Sequence, residues 1–242
     1  MKGYFDIHCH ILPGIDDGAA DKREMIRMLQ IAYKEGIRTM IATPHYHPRR
    51  GMADAYIVEN AWRKACTEIQ KVYPDMRIYT GNEIYYRQDA GQMLKNGELL
   101  TLAGSDYVLV EFSMSSVEPE EVMDGVKELQ MMGYLPIIAH IERYDNLLGD
   151  VGFVVDLVEA GAYIQVNASS VTGELGGNRK RFIKKLLKNE CVHFVGTDAH
   201  DAHRRTPSIK NCAAYIRKKF GEEAADAILY DNPSMIIKNE II

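Results

Sequence analysis

The sequence predicts an α/β fold, a TIM-like barrel in which seven parallel strands alternate with helices, with residues 1–242 forming one domain. Three observations predict it. Seven short apolar segments are separated by longer segments with helical periodicity. Each separating segment is long enough for a right-handed crossover between parallel strands. The chain has neither glycine fingerprint of nucleotide-binding sheets, so an open doubly wound sheet remains the less economical alternative.

The strand pattern occurs in seven segments. Residues 4–10 read as the first strand, and residues 37–43 form a buried apolar run that Pro44 ends. Aromatic and β-branched side chains dominate residues 107–110, which lead directly to Glu111. In chain order the predicted strands are residues 4–10, 37–43, 77–80, 107–110, 135–139, 163–166 and 192–197.

Helical patterns occupy the intervals between these strands. Asp21, with Glu24 three residues later, has the pattern of a capping box, and Pro119 stands where a helix begins. Gly36, Gly133 and Gly161 are typical of helix ends. The predicted helices are residues 21–36, 56–73, 90–96, 119–133, 153–160, 179–188 and 208–230, with a further helical stretch after Pro233.

Composition and charge exclude several classes of function. The chain is 46% hydrophobic and 26% charged, and its formal charge of −5 opposes general nucleic-acid binding. No segment is long and apolar enough to span a bilayer, so we expect a cytoplasmic protein without direct membrane insertion. The cysteines form no C-x-x-C pair, which argues against a zinc knuckle or a redox site. None of them precedes an arginine by six positions, which argues against a cysteine-based phosphatase. The four cysteines are Cys9, Cys66, Cys191 and Cys212.

Side chains that bind metals follow most of the predicted strands. His8 and His10 alternate along the first strand and therefore project to one side, the arrangement of a metal-binding pair. The carboxyl ends of all strands open on one face of a parallel barrel, so residues that are scattered in the sequence converge there. The candidates are His8, His10, Asp17, His45, Glu83, Glu111, His140, Asp198 and His200.

Nine candidates are too many for one ion. Clustered carboxylates repel one another unless cations neutralise them, so we expect a multinuclear centre. Nitrogen and oxygen donors without thiolate suit Mn, Fe, Zn, Co or Mg. Such a centre activates water and neutralises the oxygens of a transferring phosphoryl group. The sequence therefore predicts hydrolysis with water as the nucleophile.

Arginines near the predicted metal face favour a phosphomonoester substrate. Arg143 follows His140 by three residues, and the pair Arg204 and Arg205 follows His200. The planar guanidinium group binds two phosphate oxygens at once. Arg49 and Arg50 are weaker candidates of the same kind.

Three histidines and one basic segment are left without a role. His193 has the opposite strand parity to Asp198 and should face the outer helices, while His47 and His203 lie in loops. The basic residues within 179–188 could steer an acidic peptide, although a solvated helix face is the commoner explanation for such a pattern.

The candidate residues lie in motifs that resemble the PHP (polymerase and histidinol phosphatase) superfamily. From His8 to Pro207 these motifs are H-x-H, Asp-Asp-Gly, Thr-Pro-His, Gly-Asn-Glu-Ile-Tyr-Tyr, Val-Glu-Phe, Ala-His-Ile-Glu-Arg-Tyr and Thr-Asp-Ala-His. The chain is most similar to the bacterial metal-dependent protein-tyrosine phosphatases of capsule and exopolysaccharide synthesis. This resemblance implies a distorted seven-stranded barrel and a three-ion centre, usually of Mn²⁺.

The resemblance also implies roles for individual residues. Arg143 and Arg205 correspond to the catalytic and phosphate-binding arginines, although the adjacent Arg204 leaves the second assignment open. Asp16 is expected to serve the turn or to support a ligand. The implied ligand groups are His8, His10, Glu83 and Asp198 for one ion, Glu83, Glu111 and His140 for a second, and Asp17, His45 and His200 for the third.

The substrate implied by the resemblance is the phosphorylated tail of a cognate bacterial tyrosine kinase that controls polysaccharide synthesis. Two alternatives remain open. One is a phosphatase of a small phosphomonoester such as histidinol phosphate, and the other is a non-catalytic PHP module that binds metal within an assembly. The sequence assigns neither a general acid nor an oligomeric state.

Overall fold

Strands and helices alternate along the chain, as the periodicity predicts. The computed structural model describes residues 3–242, so residues 1 and 2 of the predicted domain lie outside it. The strands are β1 (Tyr4–Cys9), β2 (Ile37–Ala42), β3 (His45–His47), β4 (Gly51–Met52), β5 (Arg77–Thr80), β6 (Glu83–Tyr85), β7 (Tyr107–Glu111), β8 (Leu135–Ile138), β9 (Tyr163–Asn167) and β10 (Phe194–Gly196).

The helices cover the intervals and the last part of the chain. Asp21 caps the first helix, because its side chain accepts hydrogen bonds from the Arg23 and Glu24 amides, and Pro119 starts the fourth, as predicted. The helices are α1 (Lys22–Lys34), α2 (Ala55–Val72), α3 (Ala90–Lys95), α4 (Pro119–Met131), α5 (Val151–Glu159), α6 (Ala168–Thr172), α7 (Gly177–Lys188), α8 (Lys210–Phe220), α9 (Glu222–Asp226) and α10 (Asn232–Lys238).

The strands occupy seven consecutive positions in the barrel wall, two of which are filled by interrupted strands. β1, β2 and β5 pair in parallel, and a second sheet has the order β10, β9, β8, β7, β6, β3 and β4. The two sheets join because Gly81 N donates to Ala42 O and Glu83 N to Pro44 O, so β2 continues into β3 and β5 into β6. His10 N donates to Ala199 O at 2.8 Å, which connects β1 to the segment after β10. The predicted barrel is confirmed in a distorted form.

The apolar side chains form two layers. The inner cluster contains residues from most of the strands, among them Ile7, Ile41, Leu109, Ile137 and Phe194. The outer cluster packs the other faces of the strands against the helices, as the predicted helical stripes require. Because Ile236 of α10 and Leu102 join the inner cluster, apolar packing fills the barrel and leaves the polar site to the carboxyl ends of the strands.

Three details of the predicted elements are wrong. Glu83 was predicted to lie in the loop at the end of strand 77–80, after Gly81 and Asn82, but it opens a further strand, β6. His45 likewise opens β3 after the break at Pro44, which has no N–H for a continuous ladder. The predicted helix 208–230 is divided into α8, α9 and a π-helical segment, Ala227–Asp231, that continues into α10.

His193 precedes β10 and takes part in the packing of the barrel wall. Its Nδ1 accepts a hydrogen bond from Ile164 N at 3.1 Å, and its ring meets the Tyr163 ring edge-on. Burial lowers the pKa of His193 to about 4. The imidazole is therefore neutral in the folded protein near neutral pH.

Within residues 3–242, every helix falls short of the length and hydropathy that a bilayer crossing requires.

Candidate metal centre

A bulge in β1 directs its histidines into the site. Asp6 pairs with Met40 and Cys9 with Ala42, so three steps along β1 correspond to two along β2. Ile7 consequently belongs to the inner cluster, while Cys9 points to the outer one, as its parity predicts. The buried Asp6 carboxylate accepts the Thr197 amide at 2.9 Å, and burial raises its pKa to about 6.

Four donor residues lie close together between β1, β6 and the end of β10. The Nε2 atoms of His8 and His10 lie 3.3 Å apart. Each lies 3.4 Å from an oxygen of Glu83 and 3.5 Å from Oδ1 of Asp198. In a tetrahedron the ligand atoms are about 1.6 bond lengths apart, so bonds of about 2.0–2.2 Å require separations of about 3.3–3.6 Å. The separations among His8, His10 and Asp198 fit a single cation, while the two histidines face different oxygens of Glu83.

Glu83 also belongs to a second group. His140 Nε2 lies 2.8 Å from Glu83 Oε1 and 3.6 Å from Glu111 Oε2. His45 Nδ1 lies 2.7 Å from Glu83 Oε2 and 3.6 Å from Glu111 Oε1. The Glu83 carboxylate therefore lies between two groups of candidate ligands.

The third group lies nearest to solvent. Asp17 Oδ1 is 3.3 Å from Nε2 of His45 and 3.3 Å from Nε2 of His200. The Asp17 side chain is 47% exposed, whereas both histidines are buried. His45 thus directs one ring nitrogen toward Asp17 and the other toward the two glutamates. The structure brings all nine predicted ligands together in contiguous groups.

Burial and mutual repulsion limit the charge that the site holds by itself. Burial, and then the Glu83 carboxylate, raise the pKa of Glu111 to about 7. Burial opposes the ionisation of Glu83, but the imidazoles of His45 and His8 outweigh it and hold its pKa well below the ordinary range. Burial, and then Arg143, lower the pKa of His140 to about 4, which keeps this imidazole neutral and able to bind a metal.

Several buried polar atoms of the site lie close to other candidate ligands but make no hydrogen bond of favourable geometry among residues 3–242. These atoms are both ring nitrogens of His45, Nε2 of His200 and Oε2 of Glu83. A buried polar atom without a partner destabilises the folded state unless another group satisfies it. All of them are ligand-type atoms aimed at neighbouring ligands. The residues therefore fit divalent cations that accept mixed nitrogen and oxygen ligands.

Asp16 supports the site through hydrogen bonds. Its Oδ2 lies 2.7 Å from His10 Nδ1 and accepts the His45 amide at 3.0 Å, while Oδ1 accepts the Gly18 amide. These bonds orient two imidazoles and shape the turn before Asp17. The arrangement agrees with the expectation that Asp16 serves the turn or supports a ligand.

Gln165 and Asn167 of β9 hold three of the candidate ligands in place, and the sequence interpretation missed both. Gln165 Oε1 lies 3.1 Å from His8 Nδ1 and accepts the His140 amide at 2.8 Å. Its Nε2 donates to Asn167 Oδ1, and Asn167 Nδ2 donates to Asp198 Oδ2 at 2.8 Å. The sequence did contain a signal for them: Gln165 and Asn167 are polar, lie at the carboxyl end of a strand, and point to the same face of it as Tyr163.

The backbone around the ligands is shaped for close approach. His140 and Asp198 have positive φ angles of 33° and 53°, a conformation that non-glycine residues rarely adopt. Gly196 leaves the space that the ligands need, because a Cβ there would lie 2.6 Å from His8 Cβ and 3.0 Å from Gln165 Nε2. A larger residue would therefore displace one of the supporting side chains.

Two arginines meet at Asp198. Arg143 Nη1 lies 2.8 Å and Arg205 Nη2 2.6 Å from Asp198 Oδ2, while Oδ1 faces the histidines. Arg204 is exposed, so the geometry favours Arg205 in the choice that the sequence left open. Arg50, a weaker candidate, places Nη1 3.3 Å from Glu111 Oε2, whereas Arg49 is exposed.

The remaining histidines lie at different distances from the site. His47 is buried, its Nε2 is 3.9 Å from Glu111 Oε1, and its Nδ1 accepts the Arg49 amide. His203 is exposed and lies 3.9 Å from Glu24 on α1. His47 is therefore adjacent to the ligands, while His203 belongs to the surface.

Comparison with known proteins gives the family. A sequence profile described as "Capsular polysaccharide synthesis, CpsB/CapC" matches residues 4–238. The chain belongs to the CpsB/CapC family. The tyrosine-protein phosphatase CpsB of Streptococcus pneumoniae is 36% identical to it over 246 residues, which are 98% of this chain and 99% of that protein. The tyrosine-protein phosphatase YwqE of Bacillus subtilis (strain 168) is 33% identical over 98% of this chain and 92% of that protein.

Solved structures agree with the assignment to the CpsB/CapC family. A crystal structure described as YwqE from B. subtilis and CpsB from S. pneumoniae, metal-dependent tyrosine phosphatases, superposes with a TM-score of 0.92 at 33% identity, covering 98% of this chain and 96% of that chain. Histidinol phosphate phosphatase from Lactococcus lactis shares the fold at a TM-score of 0.57 and 14% identity, over 91% and 93% of the two chains. The resemblance predicted from the motifs is confirmed.

Proposed function

We propose that this CpsB/CapC protein hydrolyses phosphotyrosine esters of a protein substrate at a three-ion centre, with Mn²⁺ as the cofactor. The observation that carries the proposal is that two arginines bind the carboxylate of Asp198, which lies among four groups of potential metal ligands. The names of the relatives, tyrosine-protein phosphatases, support the substrate class.

We assign the nine ligand candidates to three ions in the division that the resemblance implies. The first ion would be held by four residues, with Glu83 shared between it and the second ion. When bound, divalent ions would supply Lewis-acid activation of water and neutralise phosphate charge. The proposed groups are His8, His10, Glu83 and Asp198, then Glu83, Glu111 and His140, then Asp17, His45 and His200. The observed separations also place His10 beside the third group, and His45 beside Glu83 and Glu111.

The arginines bind and orient the phosphate. Arg143 and Arg205 each use a guanidinium nitrogen on Asp198 Oδ2, and a guanidinium group has five N–H donors. The remaining donors bind the non-bridging phosphate oxygens and stabilise the charge that they carry in the transition state. Asp198 therefore fixes both arginines beside the ligands of the first ion.

The reaction requires little help at the leaving group. Oxygen derived from water forms a bond to phosphorus while the bond from phosphorus to the tyrosine oxygen breaks, giving inorganic phosphate and tyrosine. The phenolate leaves with a pKa of about 10, and solvent protonates it. A dedicated general acid is therefore less important than neutralisation of the phosphoryl oxygens, and we assign none.

The physiological substrate that we propose is the phosphorylated tail of a cognate bacterial tyrosine kinase in the cytoplasm. The description of the family, capsular polysaccharide synthesis, supports a role in regulating capsule or exopolysaccharide production.

Phosphate release from a phosphotyrosine peptide tests the proposal. We expect turnover with Mn²⁺ and loss of turnover after chelation, restored by added metal. Arg143→Ala should lower turnover by about 10²-fold with unchanged metal content, because it removes a charge-stabilising donor. Arg181→Ala is the matched control, since Arg181 is exposed on α7 and pairs with Asn178.

Three outcomes would contradict the proposal. Full turnover by the chelated protein would exclude the metal-dependent mechanism. Efficient hydrolysis of histidinol phosphate with little hydrolysis of the peptide would favour a small-molecule phosphatase. Bound metal without hydrolysis of either compound would favour the non-catalytic module.

A further inference from the structure

A cleft of about 560 Å³ opens beside the two arginines of the site. Arg143, Asn167, Asp198 and Arg205 line it where it meets the metal centre, and polar residues of the α6 and 206–211 segments line its walls. The volume falls within the range of about 300–1,000 Å³ that is typical of ligand sites. A phosphate group alone would leave much of this cleft empty.

The lining of the cleft is positively charged. It contains four guanidinium groups, those of Arg143, Arg179, Arg204 and Arg205, and two carboxylates, those of Glu174 and Asp198. Asp198 is already paired with Arg143 and Arg205. Arg179 and Arg204 therefore provide positive charge that the metal-site carboxylate does not neutralise.

Arg179 retains an unused donor. Its Nη1 donates to Leu175 O at 3.1 Å, and its Nη2 lies 3.8 Å from the exposed Asp145 carboxylate. Its Nε is buried and has no hydrogen-bond partner among residues 3–242. Arg204 is exposed, and the Asp201 carboxylate holds its backbone amide rather than its guanidinium group. The Arg204 guanidinium is therefore available to an anionic ligand, and Arg179 adds positive charge to the same cleft.

We propose that Arg179 and Arg204 form a subsite for an acidic residue adjacent to the phosphotyrosine of the substrate peptide. This inference rests on the proposed function, since the phosphate must first occupy the inner arginines. The occupant is assigned from charge complementarity and from the space left beyond Arg143 and Arg205. The exposed Leu175 on the same rim offers apolar contact to the peptide.

The rest of the basic helix α7 has other contacts. Lys180 Nζ donates to Thr172 O at 2.8 Å and thus stabilises the turn between α6 and α7. Arg181 and Lys185 line a separate cavity of about 220 Å³ beside Leu148. Selection of an acidic neighbour should therefore depend on Arg179 and not on the total charge of the helix.

Two phosphotyrosine peptides that differ only by Glu or Gln at the flanking positions test the subsite. We expect the wild-type protein with Mn²⁺ to have the higher kcat/KM for the Glu peptide. Arg179→Gln and Arg204→Gln should each reduce the Glu/Gln ratio of kcat/KM, by up to about fivefold, the upper range for exposed ion pairs. Arg181→Gln removes the same charge from α7 and should keep the ratio.

Hydrolysis of para-nitrophenyl phosphate, which has no flanking residue, reports on the metal centre in the same preparations. Equal kcat/KM values for the two peptides in the wild-type protein would overturn the subsite and leave the proposed function standing. An equal loss of the ratio in Arg181→Gln would replace the subsite by general electrostatic steering. Hydrolysis of neither peptide would overturn the proposed function, and the subsite with it.

Discussion

Gln165 is the residue through which β9 contributes to the metal centre, although it carries no charge. The substitution Gln165→Met keeps a side chain of similar length and removes the amide. It therefore breaks the contact with His8 Nδ1 at 3.1 Å, the bond from the His140 amide at 2.8 Å and the bond to Asn167 at 2.9 Å. We expect losses in both stability and metal affinity.

The magnitude follows from the burial of the groups left behind. The His8 and His140 side chains and Gln165 are at most 1% exposed, so water does not replace the lost acceptor. An unpaired buried donor costs about 1–3 kcal/mol, which gives about 2–6 kcal/mol for the two donors. Loss of a hydrogen bond that orients a ligand typically lowers metal affinity by about 10- to 100-fold.

Urea unfolding of the chelated protein measures the first effect, and a Mn²⁺ titration measures the second. Gln130→Met is the control, because Gln130 Nε2 donates to Ala160 O at 2.8 Å on the outer helices. This control should lower stability modestly and leave metal affinity unchanged. If Gln165→Met binds Mn²⁺ as tightly as the wild-type protein and unfolds at the same urea concentration, the positioning role of β9 is wrong.

Three further predictions concern other parts of the molecule. Gly196→Ala should reduce Mn²⁺ occupancy, because the added Cβ would lie 2.6 Å from the Cβ of His8. Gly177→Ala is the control and should keep full occupancy, since a Cβ at that position meets no atom within 4 Å. Elemental analysis of the two variants measures the difference. Arg205→Ala should lower phosphopeptide turnover by about 10²-fold, and Arg204→Ala should lower it by much less. Equal losses would contradict the assignment of Arg205, rather than Arg204, as the second phosphate-binding arginine. His193 has a pKa near 4 when folded and about 6.5 when unfolded, so its contribution to stability is complete above pH 6.5 and is lost as the pH falls toward 4, by about 3 kcal/mol. His193→Asn, which keeps a hydrogen-bond acceptor, should flatten this dependence in urea unfolding curves, and an unchanged slope would contradict it.

The types of ligand and the class of fold followed from the sequence alone. A strand or helix pattern depends on local periodicity, and the strand-end positions of residues such as Glu111 and His140 can be read from that periodicity. The convergence of scattered ligands then followed from one topological rule, that parallel strands open on one face. The two arginine-bearing loops were visible for the same reason.

The tertiary structure decided how those residues meet. The bulge in β1 and the strand that Glu83 opens depend on the register between strands, which local sequence patterns do not specify. Gln165 is an ordinary polar residue in the sequence, and only its contacts across the barrel reveal what it holds. Likewise, Arg204 and Arg205 are chemically identical neighbours, and the path of the loop alone brings one of them to Asp198. Long-range pairing of strands therefore fixes positions, while the sequence determines which chemistry is available at them.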